Sequence, residues 1–259
     1  MTELRIDPLT GLRAIVSEVD GGAPLLSPDS PDTPPEANRD LFWAGPARGS
    51  HEVLEAPPGP LSGLGLDELS GAFEDWRERM RAHADAAYLH LVAEDPGPVI
   101  QLFALGFVPA AIARERERFG AYATRTMGGN LLADLLQEEV RRRARVVSID
   151  DECVLLAPFA ARVPYQLMVV PRRPRMRFED PGPTGAGMVH DGLARLGRVL
   201  GAAPAVSLWV RTAPRGAEHF CWRLDILPRP DSTDGLELGT GVPVNPVSPE
   251  FAAMRLREA

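Results

Sequence analysis

Few side chains in this chain are able to do covalent or acid–base chemistry, and their spacing excludes several reaction classes. Five histidines, His51, His83, His90, His190 and His219, are scattered, and no two stand at the i, i+4 spacing that puts a pair of imidazoles on one helical face as metal ligands. Two cysteines, Cys153 and Cys221, lie far apart and form no C-x-x-C. Neither a thiolate zinc site nor a disulfide framework is indicated, and both read as buried apolar residues. All 28 basic residues are Arg; with no Lys, Schiff-base and Lys-nucleophile chemistry are unavailable. Two imidazoles fall in strand-like segments. His90 lies in Tyr-Leu-His-Leu-Val, residues 88–92, on the face of Tyr88 and Val92 at period two, and His219 begins the segment His-Phe-Cys-Trp. Each reads first as a packed or solvent-facing strand histidine, and second as a nucleophile. His51 reads as structural, and His83 and His190 as solvated helix residues.

Composition narrows the function further. A hydrophobic content of 44% over 259 residues is enough to bury one large core or two modest ones. The net charge of -8 is wrong for a general nucleic-acid binder, which needs clustered basic charge. The first residues lack a basic region followed by an apolar stretch, and no apolar run approaches the length of a membrane span. The expectation is a cytoplasmic, bacterial protein with no membrane and no nucleic-acid partner.

The elements that must position these residues follow from periodicity. Residues 21–63 are rich in Pro and Gly and read as irregular connection, with a short strand near His51 to Glu55. Leu69, Phe73, Trp76 and Met80 recur at helical spacing within a helix over 66–86. Further helices are predicted over 109–126, over 130–143, whose Arg-rich end suits a helix C-terminus, over 188–200, and in the tail after Pro249. Strands are predicted over 88–92, over Arg-Val-Val-Ser-Ile-Asp and Cys-Val-Leu-Leu-Ala-Pro-Phe either side of a turn at Asp150 to Glu152, over Tyr-Gln-Leu-Met-Val-Val-Pro, over 205–214 and over 219–228. Helices and hairpin-like strand pairs without regular alternation make this an α+β protein with antiparallel sheets.

Arg5 to Ser17, Thr33 to Glu36, Gly49 to Val53, Ala157 to Gln166, Asp225 to Pro230 and Gly235 to Glu250 resemble, in order, segments of galactose-1-phosphate uridylyltransferases, a branch of the histidine-triad superfamily. Arg5 to Ser17 resembles that family's first strand, Thr33 to Glu36 the segment after its first zinc cysteines, and Gly49 to Val53 another strand. Ala157 to Gln166 is similar to the start of its second module, and Asp225 to Pro230 and Gly235 to Glu250 to its C-terminal end. The resemblance implies two histidine-triad-like modules, each an open antiparallel sheet with packed helices, divided here as residues 1–144, degenerate, and 145–259. It implies nucleotidyl transfer in galactose metabolism, in which a His attacks the α-phosphorus of UDP-glucose and the phosphate of galactose 1-phosphate then takes the uridylyl group. That is nucleophilic catalysis in two steps. It also points to a homodimer and to a nucleotide sugar or sugar phosphate as ligand.

The resemblance places the family's His-Pro-His-Ser-Gln motif on Gly97-Pro98-Val99-Ile100-Gln101. Pro98 and Gln101 are kept; Val99 replaces the nucleophile and Gly97 the first His. Valine has no lone pair with which to attack phosphorus, and losing a covalent nucleophile removes several orders of magnitude in rate. The zinc cysteine pair falls on Ser27 to Ser30, a third zinc His near Gly59, and a metal-binding His-Trp-His on Cys221 to Arg223, so no metal or other cofactor is expected. Two phosphate-contacting arginines fall on Asp20 and Ala23, and a family segment is missing between Glu36 and Gly49. The implied function is a catalytically degenerate uridylyltransferase-like protein with a residual pocket. Gln101 would meet a phosphate oxygen, and Arg229, Gly239 and Gly241 are further candidate ligand contacts. The alternative is an active nucleotidyltransferase whose nucleophile has moved to His90 or His219.

Overall fold

The computed structural model describes residues 2–6, 13–17, 43–46, 49–57, 59–96, 99–201, 204–229 and 235–259, the first three spans by their backbone alone. Strands β1 (Thr2–Ile6), β2 (Arg13–Ser17) and β3 (Trp43–Pro46) form a small antiparallel sheet in the order β2-β1-β3. Strand β4 (Gly49–Leu54) follows, then a short 3-10 turn (Leu61–Gly63), helix α1 (Leu66–Ala82), and strands β5 (Tyr88–Asp95) and β6 (Val99–Leu105). Helices α2 (Ala110–Arg125) and α3 (Leu131–Arg142) precede β7 (Val146–Ile149), β8 (Cys153–Leu156) and β9 (Leu167–Pro171). Helix α4 (Ala186–Leu200), strands β10 (Val206–Arg211) and β11 (Arg223–Pro228), and helices α5 (Gly235–Thr240) and α6 (Pro249–Glu258) complete the chain. The fold is α+β, as periodicity predicts.

Strands β4 to β11 form one open antiparallel sheet of eight strands in the order β4-β6-β5-β10-β11-β9-β8-β7. The strands of residues 49–105 meet those of residues 146–228 at the β5–β10 pair, with Val206 opposite Asp95 and Trp209 opposite Val92. Alternation along each strand sends Leu89, Leu91 and Ala93 of β5, Ile100, Leu102 and Ala104 of β6, and Leu208 and Val210 of β10 into one core. On that face pack Leu69, Phe73, Trp76 and Met80 of α1, Val189, Leu193 and Leu196 of α4, and Ala253 and Leu256 of α6. The helical spacing that marks α1 in sequence is thus the stripe it buries. On the opposite face, α2 and α3 cover the β7–β9 end through Phe119, Leu132 and Leu136, which meet Val146, Val154, Leu156 and Val170.

Local signals set the helix ends. The Asn130 side chain accepts from the Ala133 N–H at the start of α3 (3.1 Å), and Ser248 does the same for Phe251 at the start of α6 (3.3 Å), where Pro249 occupies the first turn. The start of α4 rests on Gly185 at φ 76, a left-handed conformation, and a Cβ there would lie 3.0 Å from Val169 Cγ1.

Four expectations are corrected. Helix α1 stops at Ala82, and β5 extends past Val92 to Asp95. The segment His219 to Trp222 is not strand: Trp222 N donates to Arg175 O (2.8 Å) and Asn130 Nδ2 to Phe220 O (3.0 Å), so long-range partners take its backbone before β11 begins at Arg223. The Pro- and Gly-rich region of residues 21–63 also contains β3, whose pairing partner β1 is distant in sequence.

Candidate functional site

The part of the second face not covered by α3 is a polar platform built from alternate residues of five adjacent strands. Val53 and His51 come from β4, Val99, Gln101 and Phe103 from β6, His90, Val92 and Glu94 from β5, Ser207, Trp209 and Arg211 from β10, and Arg223 and Asp225 from β11. Register fixes the neighbours. Val99 stands opposite Glu94, Gln101 lies between Val53 and Val92, and Phe103 between His51 and His90. Val99 is 43% exposed, an aliphatic side chain on the open surface. Gln101 is half-buried beside it on the same face, its amide able to donate and accept.

His90 and Gln101 share this face diagonally, a separation of about 7 Å between such neighbours. The His90 ring lies 6.3 Å from Tyr88 and 6.5 Å from Phe103, and Phe103 stacks on His51 at 4.5 Å. Burial, reinforced by the Arg211 charge, pushes His90 down to about 4, so the imidazole is neutral at physiological pH. Burial likewise pushes the Tyr88 hydroxyl up to about 12.

The charged groups of the platform are largely spent on one another. Arg223 is paired with Glu115 of α2 and lies 3.4 Å from Asp225, and Asp225 accepts from Trp209 Nε1 (3.0 Å). Burial opposes the Arg223 charge, but the Asp225 and Glu115 carboxylates outweigh it and hold the guanidinium firmly protonated. Glu94 accepts from Ser207 Oγ (2.7 Å) and pairs with Arg229 (3.2 Å). Arg229 also donates to Asp95 O (2.9 Å), so both sides of its guanidinium are engaged.

The remaining sequence-predicted residues lie elsewhere. His219 is exposed in the loop before β11, not on the platform. Gly239 is helical within α5, and Gly241 takes φ 72 just after it, where its N–H donates to Glu237 O (2.7 Å), so both lie away from the platform strands in or beside α5. Ile100 points into the main core. Gly97, Pro98, Asp20, Ala23 and Ser27 to Ser30 fall outside the described residues. Cys153 and Cys221 are buried, and burial pushes their thiols up to about 12 and about 11. Among the described residues, no group of three or more His, Cys, Asp and Glu side chains is placed to hold a metal ion. Residues that sequence reasoning overlooked are Glu94, Glu115, Ser207, Trp209, Arg211 and Asp225. The polar positions at period two in Ser207-Trp209-Arg211 and Arg223-Asp225 were their available signal.

An open antiparallel α+β sheet with a polar face built on strand residues defines the class of the protein, and similarity to known proteins narrows it. No family model matches the chain. In sequence and fold it resembles the galactose-1-phosphate uridylyltransferase family. A probable galactose-1-phosphate uridylyltransferase of Drosophila melanogaster is 27% identical over 161 residues, 57% of this chain and 45% of that protein. The chain thus spans about half the length of the curated relatives it matches first. A solved uridylyltransferase superposes with a TM-score of 0.81 at 21% identity, covering 99% of this chain and 98% of the other. The crystal structure of an ADP-glucose phosphorylase from Arabidopsis thaliana with bound ADP-glucose gives a TM-score of 0.71 at 21% identity, over 100% of this chain and 99% of that one. Among the described residues no helix is long and apolar enough to cross a membrane.

Proposed function

We propose that this chain is a galactose-1-phosphate uridylyltransferase-like protein that has lost covalent nucleotidyl transfer and keeps, on the open sheet face, a residual site for a nucleotide sugar or sugar phosphate. The observation that carries the reading is the pair Val99 and Gln101: side by side on the exposed face, one has no attacking atom and the other keeps an amide suited to a phosphate oxygen. The meeting of the strands of residues 49–105 with those of residues 146–228 at β5–β10 supports reading residues 1–144 and 145–259 as two joined modules.

A second reading, an active transferase using His90, draws on its diagonal placement beside Gln101. Against it stands the low proton affinity of that ring, held to about 4, since a weakly basic imidazole is a weak nucleophile. One experiment separates the two. Incubation with UDP-glucose followed by intact-mass measurement is expected to leave the protein unmodified, and calorimetric titration with UDP, UDP-glucose and galactose 1-phosphate to show binding without turnover. A stable uridylyl adduct on any histidine overturns the degenerate reading.

A further inference from the structure

A cavity of about 370 Å³ opens at the Tyr88 end of β5, between the C-terminus of α1 and the loops carrying Arg177 to Asp180 and Ala213 to Arg215. The open-face site lies toward the other end of that strand: Tyr88 to Glu94 spans about 20 Å at the usual strand rise. Arg81, Arg177 and Arg215 line the cavity, together with His83, Glu179 and Asp180. Arg81 Nη1 donates to Glu179 O (3.2 Å) and Arg215 Nη1 to Asp85 O (2.7 Å). Among the described residues neither has a carboxylate partner. The buried Glu179 carboxylate already accepts from Thr212 Oγ1 (2.7 Å) and Arg177 Nη1 (3.4 Å), and Asp180 is exposed.

We propose that this cavity is an anion site for a small phosphorylated metabolite, its phosphate held between Arg81 and Arg215. The chain carries a net charge of -8, yet Arg81 and Arg215, neither with a carboxylate partner, line this cavity from separate segments, while Arg177 is taken by Glu179. A bound anion supplies the counter-charge that these two lack. The guanidinium fork matches phosphate oxygens two at a time, and the carbonyl contacts at Glu179 and Asp85 already fix the two forks, which reduces the ordering needed on binding. The volume lies at the small end of ligand cavities, fitting a phosphorylated metabolite rather than a dinucleotide.

The test is calorimetric titration of the whole chain with inorganic phosphate and with glycerol 3-phosphate at two salt concentrations. Saturable binding that weakens with salt is expected, with Arg81→Ala and Arg215→Ala each lowering the affinity at least about tenfold. Ala84→Glu places a negative charge on the exposed rim while removing no hydrogen bond, and is expected to abolish binding even if an arginine variant fails to fold. Arg79→Ala, which removes a charge that faces Glu52 instead, serves as the matched control and is expected to bind as the wild type does. Absence of saturable binding, or an Ala84→Glu protein that binds as tightly as the wild type, overturns the site.

Discussion

The Arg223 guanidinium on β11 grips the Glu115 carboxylate on α2 with two nitrogens, Nη1 meeting Oε1 and Nη2 lying 3.3 Å from Oε2. Arg211 approaches the same carboxylate at 3.8 Å. The pair ties a helix to the polar face of the sheet, and its side chains are only 17% and 19% exposed. A buried charge stripped of its partner is more costly than the pair was favourable. Glu115→Gln keeps the volume and removes the charge, so it is expected to lower stability by about 3 kcal/mol in urea unfolding. An unchanged midpoint and slope would show that Asp225 alone is enough to pair Arg223.

His90 links stability to pH. The folded chain keeps the ring neutral down to about pH 4, whereas the unfolded chain takes up the proton near the ordinary histidine value. The unfolded state therefore binds more protons between these values. The contribution is complete above the ordinary value and falls as pH drops toward 4, by about 3 kcal/mol in all. His90→Phe is expected to flatten the stability profile between pH 6.5 and pH 4; an identical profile in the variant would assign the acid sensitivity to other groups.

Burial holds the Cys153 thiol at about 12 and the Cys221 thiol at about 11. At pH 8 neither is a thiolate in the folded protein, and neither is accessible. Native protein is expected to be inert to a thiol reagent such as dithionitrobenzoate, and both groups to react at once in guanidinium. Rapid reaction of either in the native state would contradict the burial described.

At Gly185, substitution by Ala meets two obstacles. The backbone is left-handed at φ 76, and the new Cβ would lie 3.0 Å from Val169 Cγ1 and 3.2 Å from Leu224 Cδ1. Gly185→Ala is expected to destabilise by about 2 kcal/mol or more, read as a fall in Tm. Gly197→Ala, in the last turn of α4 with nothing near its Cβ position, is expected to be neutral or slightly stabilising.

Val99→His returns an imidazole to an exposed position beside Gln101. Because the site is open, the folding free energy is expected to change by no more than about 0.5 kcal/mol. Intact-mass measurement after UDP-glucose treatment then compares variant with wild type. A uridylyl adduct on the variant alone ties the missing chemistry to this residue, whereas an adduct on the wild type would place a working nucleophile elsewhere.

The sequence alone determined that Val99 carries no attacking atom, that no lysine is available, and that α1, α3, α4 and α6 would form near their observed positions, because helical period and capping are local properties. Alternation also determined that Tyr88, His90 and Val92 of β5 share a face. What it could not determine was who faces whom. Strand order β6-β5-β10-β11 joins residues more than a hundred positions apart, and only that pairing sets Trp209 against Val92, Ser207 against Glu94, and Arg229 on Glu94. His219 reads as the start of a strand until long-range hydrogen bonds from neighbouring Phe220 and Trp222 make its segment a loop. The Arg81, Arg177 and Arg215 cavity has no local signature, since its charges converge only after the helix, sheet and loops have packed. Local periodicity thus fixes elements and faces, while non-local pairing decides which side chains meet.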